Sequence, residues 1–158
     1  MKRIASIQDV SCLGRCSQTV ALPVVSAMGV ECAILPTAVL STHTSFPDFH
    51  CLDLTDQLLP VARHWKAQGV RFDALYTGYL ASDRQVAVVL ELLELLRGEG
   101  TLLFVDPAMA DHGKLYAGFG PEFPALMAQV VSKAQITVPN ITEASLMTGL
   151  PYREDYDE

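Results

Sequence analysis

Residues 82–107, SDRQVAVVLELLELLRGEGTLLFVDP, hold the pattern that decides the fold class. Ser82 followed three residues later by Gln85 is a capping-box signature, so a helix is expected over 83–97. Apolar side chains at 86, 89, 90, 93 and 96 make one helical face, and those at 88, 92 and 95 widen it. So wide an apolar surface calls for deep packing rather than one-sided exposure. After a glycine-bearing break, Leu102 to Val105 is a continuous apolar run of the kind a strand covered on both faces requires, and Asp106-Pro107 ends it. A helix, a short break and a buried strand make the repeating step of an α/β domain.

The same step recurs in both directions. Apolar runs at 3–7, 32–35, 73–76 and 136–138 read as further strands, the third stopping near Gly78. Helices are expected over 18–28, 56–68, 122–132 and 142–148, with Gly29, Gly69 and Gly149 as stops and with Thr55 and Thr142 as caps. Pro23 predicts a kink in the first helix or a later start. Residues 9–17 and the stretch from 107 to about 120 read as loops, and 37–53 as a long loop or small flap. Short strands alternating with helices predict an α/β fold, a mainly parallel sheet of about five strands with flanking helices.

A chain of 158 residues, 50% hydrophobic, is long enough for one core and too short for two comfortable domains. Residues 1–152 are therefore expected to form one unit, with 153–158 an acidic tail. Eleven Lys plus Arg against eighteen Asp plus Glu leave a net charge of −7, to which Glu154, Asp155, Asp157 and Glu158 contribute four. That balance argues against a nucleic-acid partner, whose groove needs concentrated positive charge. No apolar stretch reaches the ~18 residues that would span a bilayer, so no membrane partner is expected. The opening MKRIASIQD meets polar residues too soon to be a secretory core, and Cys12, Cys16, Cys32 and Cys51 lack zinc-site spacing. Reduced thiols and a cytoplasmic location follow as expectations.

Polar residues gather just after the strand ends: Asp9, Thr37, Tyr79, Asp106 and Asn140. In an open parallel sheet, ligands bind outside the carboxyl ends of the strands. Asp106, placed by a rigid strand, suits a phosphate-bound Mg²⁺, and Glu143 in the first turn of the last helix can complement it. Local explanations exist for both, because Asp ends strands and acids favour helix N-termini. Loop 9–17 is neither a P-loop nor a dinucleotide fingerprint, since Gly14 has no companion glycines. Arg15 can meet an anion, His64 beside Trp65 reads as a surface residue, and neither Cys12 nor Cys16 has a paired base.

Five segments, in order, then carry a resemblance: Ser6-Ile7-Gln8-Asp9; Leu40-Ser41-Thr42-His43-Thr44; Tyr76-Thr77-Gly78-Tyr79-Leu80; Asp106 through Tyr116; and Val138-Pro139-Asn140-Ile141-Thr142-Glu143-Ala144. Together they resemble the pyridoxal/pyridoxamine kinase family, within the ribokinase-like fold. The resemblance implies transfer of the ATP γ-phosphoryl group to the 5′-hydroxymethyl of pyridoxal, pyridoxamine or pyridoxine. ATP and Mg²⁺, with K⁺ as a further cation, are the implied cofactors, and a homodimer the implied full-length assembly. Asp9 matches the family's polar contact to the pyridine ring, Tyr79 the aromatic beside it, and His43 marks the segment folding over the substrate. Tyr116 matches the aromatic of the mobile loop. Asp106 and Glu143 match acidic positions near the phosphates and metal, and Asn140 a polar residue near those phosphates.

The match is to the family's N-terminal part. The Gly-x-Gly-Asp segment, whose aspartate is the family's catalytic base, has no counterpart here, so no catalytic residue is assigned and an inactive or weak fragment is expected. A hydroxymethylpyrimidine kinase-like enzyme and a non-catalytic α/β binding module stay open as alternatives.

Overall fold

The computed structural model describes residues 1–153, so the acidic tail expected at 153–158 lies, apart from Arg153, outside the described residues. The five expected parallel strands are all present: β1 (Arg3–Ser11), β2 (Glu31–Leu40), β4 (Ala74–Thr77), β5 (Leu102–Val105) and β8 (Ile136–Thr137). A short antiparallel strand, β3 (Cys51–Asp53), extends them into a sheet of order β3-β2-β1-β4-β5-β8. From β1 the chain moves outward to β2, then returns to place β4 on the other side of β1. That reversal is the topological switch point at which open α/β sheets bind ligands.

Helices α1 (Gln18–Ala27), α2 (Thr55–Ala67), α3 (Asp83–Leu96), α4 (Phe123–Val131) and α5 (Ile141–Thr148) match the expected spans to within a residue or two. The main core lies on one face of the sheet. There Ile7, Leu35, Leu75, Leu103 and Val105 meet Leu58 and Ala62 of α2, Val86, Val89, Leu92 and Leu93 of α3, and Phe123 and Met127 of α4. Burial of that many aliphatic side chains, each worth about 1.5–3 kcal/mol, holds the domain together. The deep packing expected of α3 is what it shows.

Helix α1 takes the opposite face. It is not delayed by Pro23, because its start is anchored by a tertiary bond: Gln18 Nε2 donates to the Ser6 carbonyl at 2.6 Å. Val24 on α1 is 53% exposed, Met28 at its C-cap 74%, and Ile34 on β2 is also open to solvent. Helices α2, α3 and α4 are well covered. Exposed apolar side chains lie instead on α1 and β2 and along the β8–α5 edge, at Ile136, Val138, Ile141, Leu146 and Leu150.

Two cap assignments shift. Leu54 occupies the cap position of α2, and Asp53 Oδ1 accepts from Thr55 N (2.7 Å) and from the Thr55 hydroxyl, a carboxylate being the stronger acceptor. Asn140, not Thr142, caps α5. At α3, Ser82 Oγ accepts from Gln85 N as the pattern predicted, but the Gln85 side chain turns inward. There its amide donates to the Thr37 carbonyl and Thr55 Oγ1, both at 2.9 Å, tying three elements together.

The loop expected after Asp106 contains a hairpin, β6 (Ala110–Asp111) and β7 (Lys114–Leu115). Its two-residue turn, His112-Gly113, has positive φ at both positions (49° and 74°), the geometry that matches strand twist. Stretch 37–53 resolves into the end of β2, a loop over 41–50 and β3. The loop is closed at its base by Ser41 N to the His50 carbonyl and His50 N to Ser41 Oγ, each 2.9 Å. Between Gln8 and Val10 of β1, β2 carries one extra residue, a bulge at Thr37-Ala38.

Candidate active site

A cleft of about 860 Å³ opens at the carboxyl ends of the parallel strands, on the face that carries α1. Strand alternation sets its floor: Ile7, Leu75 and Val105 point into the core, so Gln8 and Tyr76 point the other way. Asp106 follows β5 directly, and its amide continues the ladder to the Thr77 carbonyl at 3.0 Å.

Asp9 sits at the bulge, 3% exposed, and accepts from Ser11 Oγ at 3.0 Å. Tyr79 lies just past β4. Burial first, then the neighbouring Cys51 and Asp9, push its phenol up to about 12, so it remains a hydrogen-bond donor at neutral pH. Its ring is backed by Phe119 at 5.6 Å, and Phe119 stacks on Phe123 at 3.9 Å. His43 enters from the 41–50 loop. Its Nδ1 accepts from Ser45 N at 3.4 Å and its ring meets Phe46 edge-on at 4.8 Å. A Cβ on Gly14 would come within 2.6 Å of His43 Cδ2, and Gly14 has φ +119°, so glycine is required there.

Asp106 is half-buried, and burial raises its carboxyl above the ordinary range. Among the described residues no donor bonds that carboxylate. Tyr76 and Tyr116 both border it; their phenols are raised chiefly by burial and further by negative neighbours that include Asp106.

Asp9, His43, Tyr79, Asp106 and Tyr116 thus line one cleft. Asn140 and Glu143 stand behind it, joined in a capping box. Asn140 Oδ1 accepts from Glu143 N at 2.9 Å and Glu143 Oε2 accepts from Asn140 N at 2.9 Å. Glu143 Oε1 accepts from Met109 N at 3.1 Å. The Glu143 carboxyl is raised by burial, which outweighs these bonds, and Asp106 adds to the rise. Gln8, Tyr76, Asp111 and His112 also line the cleft and were not singled out in the sequence. All four lie inside the quoted motifs, from which one or two residues each were taken. Gly78 makes room for Gln8, since a Cβ there would come within 2.9 Å of its side chain.

No family model matches the chain. Pyridoxal kinase of Arabidopsis thaliana is 30% identical over 161 residues, covering 98% of this chain and 51% of its own length. A pyridoxal kinase structure from Lactobacillus plantarum superposes with TM-score 0.89 at 37% identity, covering 99% of this chain and 56% of its own. The chain is a relative of the pyridoxal kinases in sequence and fold. A structure from Bacteroides thetaiotaomicron, named for the phosphomethylpyrimidine kinases but solved with pyridoxal, superposes with TM-score 0.93 at 42% identity, covering 98% of this chain and 54% of its own. The chain spans about half the length of the pyridoxal kinases it matches. That coverage fits the expectation that its motifs make up one part of the family's ribokinase-like domain.

Proposed function

We propose that this chain supplies the vitamer-binding cleft and one side of the phosphate site of a kinase that transfers the ATP γ-phosphoryl group to the 5′-hydroxymethyl of a B6 vitamer. The observation that carries the reading is the convergence of Asp9, His43, Tyr79, Tyr116 and Asp106 on one cleft at the topological switch point. Asp9, buried and only partly satisfied by Ser11, accepts a hydrogen bond from the polar edge of the pyridine ring. Tyr79, held by the aromatic stack behind it, packs against the ring, with His43 over it. Asp106 faces the phosphoryl end.

Magnesium fits this site in one way. It is commonly held by one or two carboxylates together with waters and substrate phosphates, and Asp106 offers a carboxylate that no donor among the described residues bonds. When bound, the ion neutralises charge on the phosphoryl oxygens. The Glu143 oxygens are occupied by backbone amides, so Glu143 acts behind Asp106 rather than as a direct ligand. Asn140 likewise supports the nucleotide side through the helix start it caps. K⁺ completes the set of cofactors the motifs imply. Residues 1–152 are read as one part of a single kinase domain, acting in the cytoplasm. Among the described residues no helix is long and apolar enough to cross a membrane. The homodimer that the motifs imply for the longer kinase belongs to the same reading.

Titration of the chain with pyridoxal, in competition with hydroxymethylpyrimidine, tests the proposal. Saturable pyridoxal binding weakened by Tyr79→Ala is expected. Failure of pyridoxal to bind overturns the proposal. Preference for the pyrimidine would favour the second reading, a hydroxymethylpyrimidine kinase, to which the naming of the Bacteroides relative gives weight.

A further inference from the structure

The β6–β7 hairpin brings Asp111 and His112 to the cleft, and Tyr116 follows it directly. Two paired positions, Ala110 with Leu115 and Asp111 with Lys114, are too few to hold a hairpin in place alone. The first turn of α5 supplies what is missing, through bonds aimed at hairpin backbone. Asn140 Nδ2 donates to the Ala110 carbonyl at 2.8 Å, and Glu143 Oε1 accepts from Met109 N just before the first strand. Thr142 Oγ1 accepts from Gly113 N, at the tip, at 2.9 Å. Asn140 and Glu143 also serve the helix cap, whereas the Thr142 hydroxyl is committed to the hairpin tip. Thr142 is buried and Gly113 is exposed, so loss of this bond frees the Gly113 amide to solvent.

We propose that Thr142 is a positioning residue. Its hydroxyl latches the hairpin so that Asp111, His112 and Tyr116 stand as the outer wall of the cleft, and the strength of the latch sets how long a B6 vitamer stays bound. The ligand half of this inference rests on the B6-kinase reading; the latch itself does not.

The test compares the 158-residue chain with Thr142→Val, which keeps the shape and loses the acceptor, and Thr142→Ser, which keeps the acceptor. Hydrogen exchange of the Gly113 amide and pyridoxal binding are measured on each. Thr142→Val is expected to speed Gly113 exchange and weaken pyridoxal binding about three- to tenfold, the equivalent of one net hydrogen bond. The change falls mainly in the dissociation rate, amides of β1 and β4 keep their protection, and Thr142→Ser restores both readouts. The proposal is overturned if Gly113 exchange is unchanged, if exchange rises with no change in pyridoxal affinity, or if β1 and β4 amides accelerate in step. Should the unaltered chain not bind pyridoxal, the B6 reading fails, and the exchange measurement alone then decides the latch.

Discussion

At the β1 end of the cleft, Gly14 lies so close to His43 that a single added carbon would collide with the ring, and Gly78 gives way to Gln8 in the same manner. At the α5 end, placement comes instead from directed bonds: Glu143 to Met109 and Asn140, Asn140 to Ala110, and Thr142 to Gly113. One wall is set by exclusion and the other by attraction. The difference matters for how each fails. A wall set by close approach fails when something is added, and a wall set by hydrogen bonds fails when something is removed.

Glu143→Ala is the most damaging change this contrast predicts. It leaves the amides of Met109 and Asn140 without their acceptor in a buried setting, at a cost of about 3 kcal/mol. A urea titration would show it, and Glu143→Gln, which retains an acceptor oxygen, should recover part of the loss. Gly14→Ala comes next. It adds a carbon against His43 at a φ of +119°, and strain of this kind costs about 1–3 kcal/mol. If its unfolding midpoint stays unchanged, the β1 end is not set by exclusion. Asp9→Asn should leave the fold nearly intact while weakening pyridoxal binding by about tenfold, the worth of a charge-assisted hydrogen bond. Calorimetric titration measures it directly.

The smallest predicted effect separates the two ends by pH. Burial raises the carboxyls of Asp106 and Glu143 in the folded chain. A carboxyl raised on folding favours the folded state most when protonated, and that contribution is lost as pH rises through its folded value. Asp106→Asn should therefore be slightly more stable than the unaltered chain at neutral pH. The gap should close as pH falls toward the ordinary carboxylate range. Melting temperatures across that window would show it, and a gap that widens on acidification would contradict the burial of Asp106.

How legible these walls were in the sequence follows from the range of the forces involved. Leu102–Val105 and the helix before it were plain because periodicity and capping are local properties. The α5 capping box was equally local, and the helix start was legible to within two residues, with Thr142 taken as the cap in place of Asn140. His112-Gly113 was passed over as a hairpin turn, since histidine at positive φ is uncommon and only two residues pair on each side. The approach of Gly14 to His43 joins segments 29 residues apart and leaves no local trace. Asp9, Tyr79 and Asp106 were found because strand ends converge wherever a parallel sheet is built.

The extra residue in β2 at Thr37-Ala38 works as a phase shift. Leu35 and Thr37 are buried in step with one another, then Ala38 and Leu40 are buried on the opposite beat, so the strand leaves the sheet half a wavelength out of step with how it entered. Everything downstream, including the turn of chain that presents His43, inherits that inversion. One residue fewer would send the same side chains to the other side of the sheet, so the aim of this segment depends on a count of residues as well as on their chemistry.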